Sequence, residues 1–390
     1  MTDQRSTLSF LRDLIAFPTV SRDPNRALIA YCADYLRSIG AVVEIIAADS
    51  GDKANLYATI GPDMVPGVML SGHTDVVPVD GQLWTKPPFE AVVESGRVYG
   101  RGTADMKGFV AAALSCAGIA AQRHFQTPLH LALSYDEEIG CVGVRSLIDM
   151  LAAAPVKPAM CTVGEPTAMA IATGHKGKTA IEAACVGSAA HSALAPQAVN
   201  AIHLACDLIA QIRHLQDDII TDGAQDSAYD IPYTTLHAGL ITSGVALNIV
   251  PDHAVVTFEI RNLAADDPEA ILHRLRRAIA PVIAVARKRA AEADIVFKVI
   301  NSYPGLETSL DEAVVAMVAE LTGRDERIKV AFGTEGGLFS QRLGIPAVVC
   351  GPGSMEQGHK ADEFVTLAQL DRCDAMLASL VDRLATGLNS

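Results

Sequence analysis

Short, nearly continuous apolar runs recur along the chain at Val68–Leu70, Leu129–Ser134, Ala159–Val163 and Ala347–Cys350. Runs of this length and texture predict strands buried on both faces of a sheet. Stretches of helical periodicity lie between them. Asp23-Pro24 offers a cap and a first-turn proline to a helix with interior Ala27–Leu36, and Gly40 follows as a stop. Strands alternating with helices predict an α/β fold.

The texture changes between about Gly177 and Ser302. Two strand-like stretches, Thr235–Ile241 and Ala254–Ile260, lie between two long helical patterns. One helix is expected over Gln197–Leu215. The other starts at Asp267-Pro268 and runs towards Ala291, with Pro281 expected to kink it. The alternating texture returns at Leu310. The chain therefore reads as one α/β domain, residues 1–176 and 303–390, interrupted by an inserted α+β domain, residues 177–302.

Composition narrows the function. A chain of 390 residues is long enough for two or three domains. Acidic residues outnumber basic ones, 45 against 31, for a formal charge of −14. No basic stripe is present for a phosphate backbone, so nucleic acid is not an expected partner. The longest uncharged helix-like run, Phe109–Gln122, is too short to span a bilayer, and no membrane association is expected. Asp3 and Asp13 interrupt what would have to be the apolar core of a secretory signal in Met1–Phe17. Eight scattered cysteines without a Cys-x-x-Cys pair predict reduced, buried thiols in a cytoplasmic protein.

Candidate chemistry collects just after the predicted strands. His73-Thr74-Asp75 follows the first run, Asp136-Glu137-Glu138 the second, Gly164-Glu165-Pro166 the third, and a loop ending at His359 the fourth. A glycine-rich loop, Gly100–Gly108, carries Asp105 ahead of a helix. In open α/β sheets, ligands bind beyond the carboxyl ends of the strands, so these loops are expected to converge. Two carboxylates ~4 Å apart repel by roughly 4 kcal/mol at an effective dielectric near 20. Several such pairs cannot stay ionised together without compensation, and no matching basic cluster lies in these loops. Two divalent cations would supply it, and a set of two histidines and three carboxylates, one of them bridging, suits Zn²⁺, Co²⁺ or Mn²⁺.

Two other patterns fail on spacing. Gly177-Lys178-Thr179 ends like a phosphate loop, but Ala172 stands where its first glycine is needed. Gly100-Arg101-Gly102 opens like a dinucleotide fingerprint, but Asp105 takes the last glycine position and would repel a pyrophosphate.

With these segments in view, from Ser71 to His359, the chain resembles the co-catalytic metallo-deacylases, a family related to metallo-aminopeptidases that includes aminoacylase and carboxypeptidase G. The resemblance implies a catalytic domain on a central mixed, mostly parallel sheet and an inserted dimerisation or lid domain. It implies two bound ions, Zn²⁺ or Co²⁺, bridged by Asp105. His73 and Glu165 would complete one site, Glu138 and His359 the other. Asp75 would orient His73, and Glu137 would be the general base. A cis peptide at Asp105-Met106 is also implied. In the insert, His191 of Ser188–Ser192 matches a histidine that reaches the partner subunit's site in a homodimer. Asn248 and Arg261 match positions that contact a substrate carboxylate. Gly333–Phe339, Cys350–Ser354 and His359–Phe364 look most like the branch acting on N-acetyl-L-ornithine in arginine biosynthesis. The expected substrate is thus a small N-acyl amino acid, with Glu335 the candidate partner for its side-chain ammonium. A desuccinylase, another N-acyl amino acid deacylase or a dipeptidase is the alternative.

Overall fold

The computed structural model of the protein describes residues 5–387. Residues 1–4, the start of the stretch read as lacking a secretory signal, lie outside the described residues. The chain folds as two compact units: His175–Gly305 with Val330–Gly333 forms one, and the remainder forms the other.

The larger unit is built on a nine-stranded mixed sheet. Its strands run in the order Val42–Ala47, Ala54–Ile60, Leu129–Ser134, Val68–His73, Met160–Val163, Ala347–Val349, Ile171–His175 and Leu306–Glu307, with Arg327–Val330 also paired to Ile171–His175. Pairing is parallel from Leu129–Ser134 through to Ala347–Val349 and antiparallel at the flank that begins with Val42–Ala47. The parallel strands Val68–His73, Leu129–Ser134 and Met160–Val163 are buried at every position, as their nearly continuous apolar runs predict. Val68 lies opposite both Leu129 and Met160, and His73 opposite Ser134. This register makes the three strands end together, so the loops bearing Asp75, Asp136–Glu138 and Glu165 leave one edge.

Helix Lys107–Ala120 is buried over all its residues but Ile119. The part Phe109–Ala120 of the uncharged run is thus a core helix, apolar because protein surrounds it. No helix among the described residues is long and apolar enough to cross a membrane. Phe109 also dictates a glycine: a Cβ on Gly164 would fall 1.9 Å from its ring, so the turn before Glu165 admits no side chain.

The smaller unit has a four-stranded antiparallel sheet, ordered Thr235–Ser243, His253–Arg261, Lys178–Val186, Asp294–Tyr303. Lys178–Val186 and His253–Arg261 alternate buried and less buried positions, and Ile181, Val256 and Phe258 share a core with Leu208 and Leu272 of helices Ala201–Asp222 and Pro268–Ala286. One covered face and one open face give this period-2 pattern.

Three expectations shift. The helix expected from Asp23-Pro24 begins at Arg26, because Asn25 spends its side chain on both backbone groups of Ala54 instead of capping. The helix expected from Gln197 begins at Ala201, where Asn200 caps it by accepting from the Ile202 N–H; Ser192–Gln197 is a separate 3₁₀ turn. Pro281 sits inside one helix that ends at Ala286, short of Ala291. All eight cysteines are free thiols and seven are buried; Cys206 is exposed on helix Ala201–Asp222.

Candidate metal centre

The strand-end loops converge as their register demands. His73 terminates its strand fully buried, with Nε2 3.0 Å from Oδ1 of Asp105 and 3.6 Å from Oε1 of Glu165. The second oxygen of Asp105, Oδ2, lies 3.1 Å from Nε2 of His359, and that same nitrogen is 3.0 Å from Oε2 of Glu138. Asp105 therefore divides its two oxygens between two imidazoles. The peptide Asp105-Met106 is cis. Two groupings bring donor atoms within 4.8 Å of one another: His73 with Glu137 and Glu165, and His73 with Asp105 and Glu138. The direct contacts are shorter than these separations and also include His359.

The electrostatics are those of a site short of positive charge. Burial works against a charged His73, yet Glu165, Asp105 and Asp75 hold its pKa well above the usual value. Hydrogen bonds to Asp105 and Glu138 raise His359 to about 10. Burial and then neighbouring carboxylates push Glu137 to about 8 and Glu138 to about 7. Burial opposes ionisation of Asp105, but both histidines hold its pKa far below the ordinary carboxylate range. Without cations, the cluster must retain protons. Oε1 of Glu138 is buried with no hydrogen-bond partner among the described residues. Oxygen and imidazole donors, an acceptor left over and a bridging carboxylate fit a pair of divalent ions.

Asp75 lies beside the His73 imidazole and also reaches the acidic loop. Nδ1 of His73 is 2.9 Å from the Asp75 carbonyl oxygen but 3.5 Å from its carboxylate, so the closer bond is to the backbone. The carboxylate instead accepts from Ser21 Oγ (2.7 Å) and from the N–H groups of Glu137 (3.2 Å) and Glu138 (3.3 Å). It thereby ties the acidic loop to the strand that carries His73. Asp136, at φ +55°, anchors the same loop to Lys53 at 2.6 Å. The Cys141 thiol donates to Glu137 Oε1 at 3.2 Å. Ser21, Lys53 and Cys141 carried no signal in the sequence, because each acts through a fold-dependent contact rather than a motif.

Glu335, expected to meet a substrate ammonium, is only 1% exposed. It precedes helix Gly336–Leu343, accepts from Ser71 Oγ at 3.2 Å, and burial raises its pKa to about 7. Its carboxylate is as buried as the side chains of His73 and Glu165.

Three predicted residues lie in the smaller unit. His191 is exposed and begins the 3₁₀ turn, its Nδ1 accepting from Ala193 N–H at 3.1 Å. Asn248 is exposed, and its carbonyl accepts from the Ser192 N–H at 3.0 Å, which joins its loop to that of His191. Arg261 ends its strand half-buried, bonded to Glu259 at 3.0 Å and to the Tyr303 hydroxyl at 3.3 Å.

Comparisons with known proteins agree with this chemistry. The profile of peptidase family M20/M25/M40 matches residues 69–383. The acetylornithine deacetylase of Pasteurella multocida is 32% identical over 389 residues, covering 98% of this chain and 99% of that one. Among solved structures, an M20 family metallo-carboxypeptidase from Sulfolobus solfataricus superposes with a TM-score of 0.78 at 19% identity, covering 98% of this chain and 100% of the other. A dinuclear metal-binding M20 peptidase from Bacillus subtilis does so with a TM-score of 0.67 at 17% identity and 96% coverage of each chain.

Proposed function

Because the chain belongs to peptidase family M20/M25/M40, and is therefore a metal-dependent hydrolase of amide bonds, we propose that its substrate is an N-acyl amino acid, foremost N-acetyl-L-ornithine. The products would be L-ornithine and acetate, a step of arginine biosynthesis. The observation that carries the chemistry is Asp105 facing His73 with one oxygen and His359 with the other. Full-length similarity to a protein named for acetylornithine supports the choice of substrate.

His73, Asp105 and Glu165 would hold one ion and Asp105, Glu138 and His359 the other, with Zn²⁺ or Co²⁺ suited to these donors. When bound, such a pair supplies Lewis acidity and a water acidic enough to act near neutral pH. Glu137 takes a proton from the attacking water as its oxygen adds to the amide carbonyl, and returns it to the departing nitrogen. Asn248 and Arg261 hold the α-carboxylate, the guanidinium matching its two oxygens.

The larger unit is the catalytic domain and the smaller one a dimerisation or lid domain of a cytoplasmic homodimer. Val245 and Leu247 of the smaller unit are 89% and 102% exposed, apolar surface of the kind a second copy would cover. His191 from the partner copy would donate to the oxyanion. Mixing an inactive His191→Ala protein with an inactive Glu137→Gln protein is expected to restore activity, since one site per mixed dimer is then complete. If the mixture stays inactive after subunit exchange, His191 does not act across the dimer.

The substrate is tested by amine release. Metal-stripped protein given Zn²⁺ or Co²⁺ is expected to free ornithine from N-acetyl-L-ornithine faster than it cleaves N-succinyl-diaminopimelate, acetyl-citrulline or dipeptides. Preference for one of the others would reassign the substrate within the family. No turnover of any of them by the loaded protein would refute the proposed function.

A further inference from the structure

A buried ion pair outside the donor set links two of its members. Arg101 and Glu363, both 1% exposed, meet at 2.7 Å. Such a pair is a poor stabiliser in itself, because desolvation offsets the attraction, so its other partners show what it does. Oε1 of Glu363 accepts from the N–H groups of Ala104 (2.9 Å) and Asp105 (3.1 Å). On the far side, Arg101 Nη2 donates to Oε1 of Gln82 at 2.6 Å, and Nη1 reaches the Lys360 carbonyl at 3.3 Å. Trp84 donates to the same Gln82 oxygen at 3.0 Å, and its ring lies 5.0 Å from the Arg101 guanidinium carbon. Gln82 Nε2 then donates to the carbonyl of His359 at 2.9 Å.

The bonds thus run unbroken from the backbone of Asp105 to the backbone of His359. His359 needs such support. Its φ is +61°, a left-handed conformation that a histidine keeps only when its surroundings impose it. Its side chain is 46% exposed, so close packing does not hold it.

We propose that Gln82, Arg101 and Glu363 are positioning residues that set His359 against Asp105. They govern the cation site formed by Asp105, Glu138 and His359 more than the one formed by Asp105, His73 and Glu165. The inference rests on the two-ion reading above.

Full-length Gln82→Ala and Gln82→Glu proteins test it, since Gln82 is a half-buried loop residue outside the donor set. Metal-stripped samples are titrated with Zn²⁺ by calorimetry, with ions counted by elemental analysis. One ion is expected to bind as in the unaltered protein and the other ~10–100-fold more weakly. Gln82→Glu keeps an acceptor for Arg101 but cannot donate to His359, so it should bind the second ion more weakly, as Gln82→Ala does. Its added negative charge would by itself strengthen cation binding, which makes a fall specific to the lost donation. The thermal midpoint of the metal-free protein should not change. Unaltered affinity for both ions in Gln82→Ala, or equal weakening of both alongside a lower midpoint, would overturn the proposal. Failure of the unaltered protein to take up two ions would instead remove the two-ion reading, so the two failures are distinguishable.

Discussion

Asp105→Asn protein is expected to fold, to take up neither ion firmly and to lose turnover by about three orders of magnitude or more. As the proposed bridge, Asp105 would be the donor shared by both ions, and removing its charge would forfeit several kcal/mol of charge stabilisation. The amide of asparagine has nearly the shape of the carboxylate but presents one N–H₂ where an oxygen should face His73 or His359. Proton release gives an independent readout. In the ion-free site Glu138 titrates near 7, Glu137 near 8 and His359 near 10. At pH 7 these groups still carry protons that arriving cations must displace. Cation affinity should therefore rise as pH increases from about 7 and fall on acidification, and calorimetry in buffers of different ionisation enthalpy should register protons released. Asp105→Asn should show neither the uptake nor the release. An unchanged metal content would contradict the bridge.

Glu137→Gln separates chemistry from metal holding. Its turnover number should fall ~10²–10⁴-fold, the range that a positioned general base contributes. Metal content should stay at the unaltered level, because the closest donors to each imidazole are Asp105, Glu165 and Glu138. Glutamine cannot accept the proton of the attacking water, while the Cys141 thiol that now donates to Glu137 Oε1 keeps an amide oxygen to meet. Elemental analysis together with steady-state rates decides the matter: a rate near that of the unaltered enzyme would remove Glu137 as the base.

Much of the site was readable because strand burial and ligand chemistry leave local marks. A strand buried on both faces is mostly apolar, so Val68–Leu70, Leu129–Ser134 and Ala159–Val163 stand out, and the acids and histidine just beyond them are conspicuous. The shared register of these strands then brings His73, Glu137, Glu138 and Glu165 together. Helix starts were less legible. Asp23-Pro24 looks like a beginning, but Asn25 is engaged by Ala54, a residue 29 positions away that local patterning cannot reveal.

The sequence by itself determined which donor types are available, and that their excess of carboxylate requires cations, since charge and residue chemistry do not depend on conformation. Only the tertiary structure decided which atom faces which. It turned the Asp75 carboxylate towards the Glu137 and Glu138 amides, closed Glu335 off behind Ser71, and joined Asp105 to His359 through Glu363, Arg101 and Gln82. Hydrogen bonds depend on separations of a few tenths of an ångström and on angle, and only the packed chain sets these between residues 19 to 277 positions apart.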